Sequence, residues 1–133
     1  MNAGRILRKV GFDNDELRAA VAPVDPDYVN VWPASRLMMK LWRKGISGVT
    51  IRSWVFVDPE LLRGDPIRLG RLVIHELVHV RQFEESGYVP FSLRYLYEYI
   101  RGVLGGKGLR QAYLDISAEQ EARAVTETLL RPM

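Results

Sequence analysis

The sequence contains no cysteine and only two histidines among its 133 residues. The absence of cysteine excludes disulfide scaffolds, thiol catalysis and cysteine-ligated zinc fingers. No apolar run approaches the roughly 20 residues that a membrane-spanning helix needs. The basic N-terminal residues also lack the unbroken apolar core and the small-residue cleavage site of a signal peptide. The lack of a membrane-spanning run and of a signal peptide predicts a cytoplasmic protein with no membrane span.

The composition is that of one ordinary globular domain. Hydrophobic residues make up 47% of the chain and charged residues 26%, which argues against wholesale disorder. The net charge of +3 is too small by itself to indicate a polyanionic partner, and we therefore expect no nucleic acid. We predict a single domain over residues 1–133, with a helical and extended segment at 1–45 and the core at 46–130.

Local patterns predict an α+β protein with one small sheet in front of its longest helix. Helices are expected over 13–21 and 34–44, with an extended stretch at 24–33 between them and Gly45 as a stop for the second helix. Two strands are expected within 46–58, broken near 52–53 or at Gly48. The apolar stripe of the second helix is interpreted as core and consists of Leu37, Met38, Leu41 and Trp42.

The C-terminal half is predicted to be helical throughout. Asp65 and Pro66 are typical of a helix start, and Gly87 of its end. Further helices are expected over 90–104, 109–114 and 117–130, the last begun by a capping box of Ser117 and Gln120 and ended by Pro132. One apolar side of the 90–104 helix, needed for the core, consists of Leu93, Leu96, Tyr97, Ile100 and Leu104.

Both histidines lie in the motif H-E-x-x-H, formed by His75, Glu76 and His79 inside the longest predicted helix. Residues four apart project from one helix face, and so both imidazoles can bind one Zn²⁺. Glu76 is close enough to take a proton from a metal-bound water as general base. Shuffling this composition produces the motif roughly once in a thousand sequences. The alternative is a buried helix whose histidines hydrogen-bond to backbone, at a cost if they lack partners.

A catalytic zinc needs a third protein ligand, which here must be a carboxylate because no third histidine and no cysteine exists. The last predicted helix offers Glu119 and Glu121. They flank its apolar face on opposite sides, and helical geometry does not choose between them.

The motif HELVHVRQ, preceded by GVTIRSWVFVDP and followed by EQEARA, resembles the minimal gluzincins. These zincin-like metallopeptidase domains have a strand hairpin, an H-E-x-x-H helix and a glutamate ligand from a later helix. The chain is similar to small bacterial HELxHVxQ domains of unknown function, including the domain associated with contractile injection systems. The likeness covers about residues 46–130 and is specific at His75, Glu76, His79 and Gln82.

The resemblance implies a role for each matching residue of the last helix. Glu119 becomes the third zinc ligand and Ala122 the small residue that allows close helix packing, with Glu121 and Ala124 as an alternative register. The sequence departs from the family at Arg123, where those domains have Asp or Asn as an outer partner of the ligands.

The resemblance also suggests substrate-binding and catalytic roles outside the ligand set. The strand containing Trp54, Val55 and Phe56 is expected to align a peptide by backbone pairing, unless it only covers the core. Tyr113 is a candidate oxyanion donor; Tyr95, Tyr97 and Tyr99 are weaker ones. Gln82 either hydrogen-bonds a ligand or caps local structure.

The resulting hypothesis is a monomeric, single-zinc metallopeptidase of gluzincin type that hydrolyses peptide bonds of a peptide or protein substrate by zinc-activated water. The alternative is a non-catalytic zinc-binding module for protein–protein interaction. A basic set interleaved with aromatic residues is typical of a nucleic-acid-binding or membrane-surface helix. It is interpreted here as a solvated helix face, because Glu98 interrupts it and the apolar side is needed for the core. That set consists of Arg94, Arg101, Lys107 and Arg110.

Overall fold

The computed structural model describes residues 1–41 and 48–131 and is an α+β, mostly helical fold. The N-terminal half contains α1 (Ala3–Lys9), α2 (Asp15–Val21), β1 (Asn30–Pro33), α3 (Arg36–Leu41), β2 (Gly48–Ile51) and β3 (Trp54–Val57), with a 3₁₀ turn at Pro26–Tyr28. The C-terminal half contains α4 (Pro59–Arg63), α5 (Pro66–Ser86), α6 (Tyr88–Leu104), α7 (Leu109–Leu114) and α8 (Ser117–Leu130).

The three strands form one sheet in the order β1-β3-β2. β3 pairs in parallel with β1 and antiparallel with β2. In the antiparallel pair, Gly48 of β2 lies opposite Val57 of β3. The predicted break near Arg52 is confirmed, because the chain turns there with a positive φ of 56°. β3 is therefore the central strand, and β2 packs beside α5.

Helix α5 runs through the middle of the fold and forms the predicted element. Asp65 accepts a hydrogen bond from the Ile67 amide at its start, and Gly87 ends it with a φ of 85°, which favours glycine. Its apolar residues enter a core shared with α1, α2 and the sheet. Helix α1 was not among the predicted elements, yet Ile6 and Leu7 are buried there and Asn2 caps its first turn.

The apolar stripe of α3 does not belong to the core, contrary to expectation. Leu37 and Leu41 are exposed, and no residue among 36–41 is buried. α3 has six residues, and the core is already filled by α1, α2 and α5. The predicted end of this helix, with Trp42 and Gly45, and the predicted strand start at 46 lie outside the described residues, as does Pro132.

The expectation for the apolar side of α6 is also wrong. The helix begins at Tyr88, two residues before Pro90, and ends at Leu104 as predicted. Its aromatic side faces the rest of the molecule, where Phe91 and Phe83 have ring centroids 4.4 Å apart. The opposite side, expected in the core, is exposed at Leu93, Leu96, Tyr97, Ile100 and Leu104.

The capping box predicted for α8 does not form. The N-cap residue is Ile116, which makes no side-chain cap. Instead, both the backbone amide and the hydroxyl of Ser117 donate to the Glu98 carboxylate on α6, at 3.2 and 2.8 Å. A side chain from another helix thus satisfies the first turn of α8.

Among the helices in the described part of the chain, none has the length and apolar character required to cross a membrane.

The contact of α5 with the N-terminal segment predicts the effect of Gly70→Ala. A Cβ at Gly70 would lie 2.8 Å from ring carbons of Phe12 and 3.0 Å from a Val10 methyl. Overpacking of about 1–3 kcal/mol should exceed the gain of about 1 kcal/mol in helix propensity. We expect thermal unfolding to show a Tm lowered by several degrees. Gly108→Ala is the control, because its Cβ meets nothing within 4 Å; a Tm raised by Gly70→Ala would contradict this packing.

Candidate metal centre

One face of α5 presents the H-E-x-x-H residues. His75 and His79 are one helical turn apart, and their ring centroids are separated by 5.0 Å. His79 is buried, while the His75 side chain retains 19% exposure. Both Nε2 atoms are directed toward the same carboxylate.

That carboxylate belongs to Glu119, in the first turn of α8. Its Oε1 lies 3.0 Å from His75 Nε2, and its Oε2 lies 2.8 Å from His79 Nε2. Ala122, which is fully buried, lets α8 pack closely against α5. The partial positive charge at a helix N-terminus also favours an acidic side chain at this position.

His75, His79 and Glu119 form a group that can hold a metal ion. One ligand atom from each lies within 4.8 Å of the other two. The structure thus brings Glu119 to the histidines, whereas Glu121 lies on another side of α8.

Glu121 instead supports the histidines indirectly, through Gln82. The Gln82 amide nitrogen donates to Glu121 Oε1 at 2.7 Å and to the Ala118 carbonyl at 3.1 Å. These bonds orient the Gln82 oxygen toward His79 Nδ1, 2.8 Å away. With its proton on Nδ1, His79 donates to Gln82 and keeps the Nε2 lone pair available for a metal, as outer-shell partners do.

The carboxylates of Glu76 and Glu119 stabilise positive charge at the neighbouring His79. Burial by itself lowers the pKa of His79, but the hydrogen bond to Glu119 and the charges of Glu76 and Glu119 raise that pKa to about 9. Burial raises the pKa of Glu119, yet the hydrogen bonds with His75 and His79 hold it well below its usual range.

Glu76 lies beside the group without belonging to it and is almost fully buried. Thr50 on β2 donates its hydroxyl to Glu76 Oε2 at 2.5 Å. The other oxygen, Oε1, lies where a Cβ at Gly48 would be only 3.2 Å away. Thr50 therefore holds the Oε2 atom of Glu76 by a hydrogen bond, and the missing side chain of Gly48 leaves room beside Oε1.

Two tyrosine hydroxyls complete the surroundings of Glu119. Tyr95 on α6 donates to its Oε2 at 2.9 Å, and Tyr113 on α7 donates to its Oε1 at 3.2 Å. Burial and the nearby negative charge of Glu119 raise the pKa of both phenols, so both remain donors at neutral pH. Tyr113, predicted as an oxyanion donor, thus reaches the site, and so does Tyr95, which was ranked below it.

A cavity of about 330 Å³ opens onto these groups. Its walls combine the polar site with an apolar side, and they come from β2, α5, α6, α7 and α8. The polar lining includes Thr50, Glu76, His79, Tyr113 and Glu119, and the apolar lining includes Val49, Phe83 and Phe91. No sequence motif singled out Thr50 or Phe83, because neither belongs to a spaced pattern.

The strand predicted to align a substrate is not the one at the site. Trp54, Val55 and Phe56 lie in β3, whose two edges are already paired with β1 and β2, and Val55 is fully buried. β3 therefore offers no edge for an added peptide. β2 lines the cavity and is an outer strand of the sheet formed by the described strands.

Arg123, the departure from the family pattern, does not contact the histidines. It donates to the Leu114 carbonyl and so ties α8 to the end of α7. The outer partner of His79 comes from α5 itself, as Gln82.

The donor set fits a divalent transition metal. Two imidazole nitrogens and one carboxylate oxygen are the ligands of catalytic zinc sites, which leave a further position open. Glu76 and Glu119 are both nearly buried carboxylates, and a bound cation offsets the cost of keeping two such charges out of water.

Comparisons with protein-family models, curated proteins and solved structures produced no match for this chain.

The ligand geometry predicts opposite results for two neighbouring carboxylates. Glu119→Gln should reduce affinity for Zn²⁺ by more than about 100-fold, since loss of a ligand exceeds the 10–100-fold effect of outer-shell changes. Glu121→Gln is the matched control and should retain one metal ion per chain. Titration calorimetry with ZnCl₂ measures both, and circular dichroism checks the fold. Retention of zinc by Glu119→Gln together with its loss in Glu121→Gln would reverse the assignment.

Proposed function

We propose that this protein is a zinc-dependent hydrolase of the gluzincin type that cleaves peptide bonds. One observation carries the proposal: two of the three metal-ligating side chains, His79 and Glu119, line one cavity together with the carboxylate of Glu76. A purely structural metal site has no need of a base beside it. The resemblance of HELVHVRQ to minimal gluzincins supports the same reaction class.

His75, His79 and Glu119 would hold the zinc ion. When bound, zinc acts as a Lewis acid that lowers the pKa of a coordinated water to about 7 and polarises a carbonyl. Gln82 orients His79, while Tyr95 and Tyr113 orient Glu119 by their hydrogen bonds. These contacts fix the ligand geometry before any substrate arrives.

Glu76 is the general base. The hydroxyl of Thr50 donates a hydrogen bond to its Oε2, and the carboxylate faces the cavity. A carboxylate in this position accepts a proton from the attacking water and returns it to the leaving amine nitrogen, which peptide hydrolysis requires. Thr50 contributes by holding Glu76 in one orientation.

A peptide is the substrate that suits the cavity. β2 lies along the cavity through Gly48, Val49 and Thr50 and is an outer strand among the described ones. An extended chain can add to such a strand by backbone hydrogen bonds. The apolar wall of Phe83 and Phe91 would accommodate an apolar side chain.

A non-catalytic zinc-binding module is the second candidate function. The exposed apolar side of α6 favours it, because such a surface is suited to attachment rather than chemistry. The two candidates share the metal ligands and differ only in whether Glu76 has a chemical role.

Glu76→Gln separates these two candidates. The amide keeps the size of the side chain but cannot accept the proton, so we expect hydrolysis of a casein or quenched-peptide substrate to fall at least about 100-fold. Zinc binding should be retained, because Glu76 is not a ligand. Glu84→Gln, an exposed change on the same helix, is the control. Full activity of Glu76→Gln would refute the mechanism, and wild-type zinc protein that hydrolyses neither substrate would favour the module.

A further inference from the structure

The outer face of α6 is an exposed apolar surface for which the metal centre gives no reason. We define it as the six apolar residues Val89, Leu93, Leu96, Tyr97, Ile100 and Leu104, each between 46% and 82% exposed. The inner face of the helix carries Phe91, Ser92 and Tyr95, which line the cavity. α6 is thus apolar on both sides, and a helix of that kind normally has both sides covered.

The outer face is a continuous stripe. Its members are three or four residues apart along 17 residues of helix, with Tyr97 beside Leu93 and Leu96, so that they lie on one side. Nothing in the described parts of the chain, residues 1–41 and 48–131, buries them.

The charges of α6 indicate which kind of partner covers this face. Arg94 and Arg101 lie seven residues apart along one border of the stripe, and both are exposed. The only acidic residue of α6, Glu98, is only partly exposed and accepts two hydrogen bonds from Ser117. Its Oε2 also lies 3.7 Å from Arg94 Nε, in a loose ion pair that leaves the Arg94 side chain 78% exposed. Residues 88–110 contain four basic residues and one acidic residue.

We propose that the outer face of α6 docks the protein on an anionic lipid surface, with the apolar residues inserted between headgroups and the arginines on lipid phosphates and carboxylates. A strongly apolar side bordered by basic residues is typical of helices that lie in a membrane interface. Tyr97 has an aromatic ring with a polar hydroxyl, a combination that suits the boundary between lipid headgroups and acyl chains.

A second copy of the chain fits the face less well. Pairing two outer faces would bring together two basic helices, and neither α6 offers an exposed acidic residue to the arginines of the other. An anionic lipid surface supplies the opposite charge for both arginines.

Docking through this face would orient the catalytic cavity. The cavity lies on the inner side of α6, and so about one helix diameter, roughly 10 Å, would separate it from the lipid. The inference rests on the outer face alone, and it stands or falls separately from the proposed hydrolase activity.

Co-sedimentation with vesicles tests the proposal on the full chain. We expect wild type to bind vesicles of phosphatidylcholine with phosphatidylserine, more weakly in high salt, and to bind pure phosphatidylcholine poorly. Leu93→Gln with Leu96→Gln should lower the partition coefficient at least about tenfold. Arg94→Gln with Arg101→Gln should lower it about 30-fold on the anionic vesicles alone. The control is Leu37→Gln with Leu41→Gln, which changes two exposed leucines of α3 and should bind as wild type.

Site-specific labelling provides a second test that does not remove the apolar face. Because the chain has no cysteine, Leu96→Cys and Leu37→Cys each accept one environment-sensitive fluorophore. The label at position 96 should shift to the blue on phosphatidylserine vesicles, and the label at 37 should not.

Three results would overturn the proposal. One is failure of wild type to bind phosphatidylserine vesicles in low salt. Another is equal shifts of the two labels. The third is a wild-type dimer, seen by light scattering, that does not bind vesicles and that Leu93→Gln with Leu96→Gln converts to a monomer. That result would show that a second copy of the chain covers the outer face.

Discussion

The carboxylate of Glu119, held between two histidines, is the interaction on which the arrangement of the site depends. It joins α8 to α5 through His75 and His79, to α6 through Tyr95 and to α7 through Tyr113. Four helical segments therefore meet at one buried anion. Such an ion is costly to bury without partners, and here every partner is a potential hydrogen-bond donor.

The same anion explains why the surrounding side chains have their particular orientations. The negative charge of Glu119 helps to raise the pKa of His79, and together with burial it keeps the two phenols protonated as donors. Gln82 orients the His79 ring by a hydrogen bond at Nδ1, the nitrogen that faces away from Glu119. Glu121 and the Ala118 carbonyl in turn orient the Gln82 amide. The site is thus preorganised by contacts from α5 and α8, while the sheet contributes Thr50 to Glu76.

Helix α6 connects this interior with the surface. Its inner side supplies Tyr95 and Phe91 to the cavity, and its outer side exposes leucines that the fold does not use. Apolar periodicity in a sequence indicates that one face of a helix is to be buried. It does not indicate whether the protein's own core or a partner buries that face. For that reason the pattern at Leu93, Leu96 and Ile100 predicts a core face although these residues are exposed, and the stripe of α3 is misleading in the same way.

Local patterns in the sequence determined a good deal by themselves. The bounds of α5, the break between β2 and β3, and the pairing of His75 with His79 on one face all follow from residues close together in the chain, through capping, turn conformation and helical periodicity. The choice of Glu119 over Glu121, the position of β3 in the middle of the sheet, and the capping of α8 by Glu98 depended on the tertiary structure. Each of these is set by contacts between segments distant in sequence, whose relative placement helical or strand periodicity does not encode.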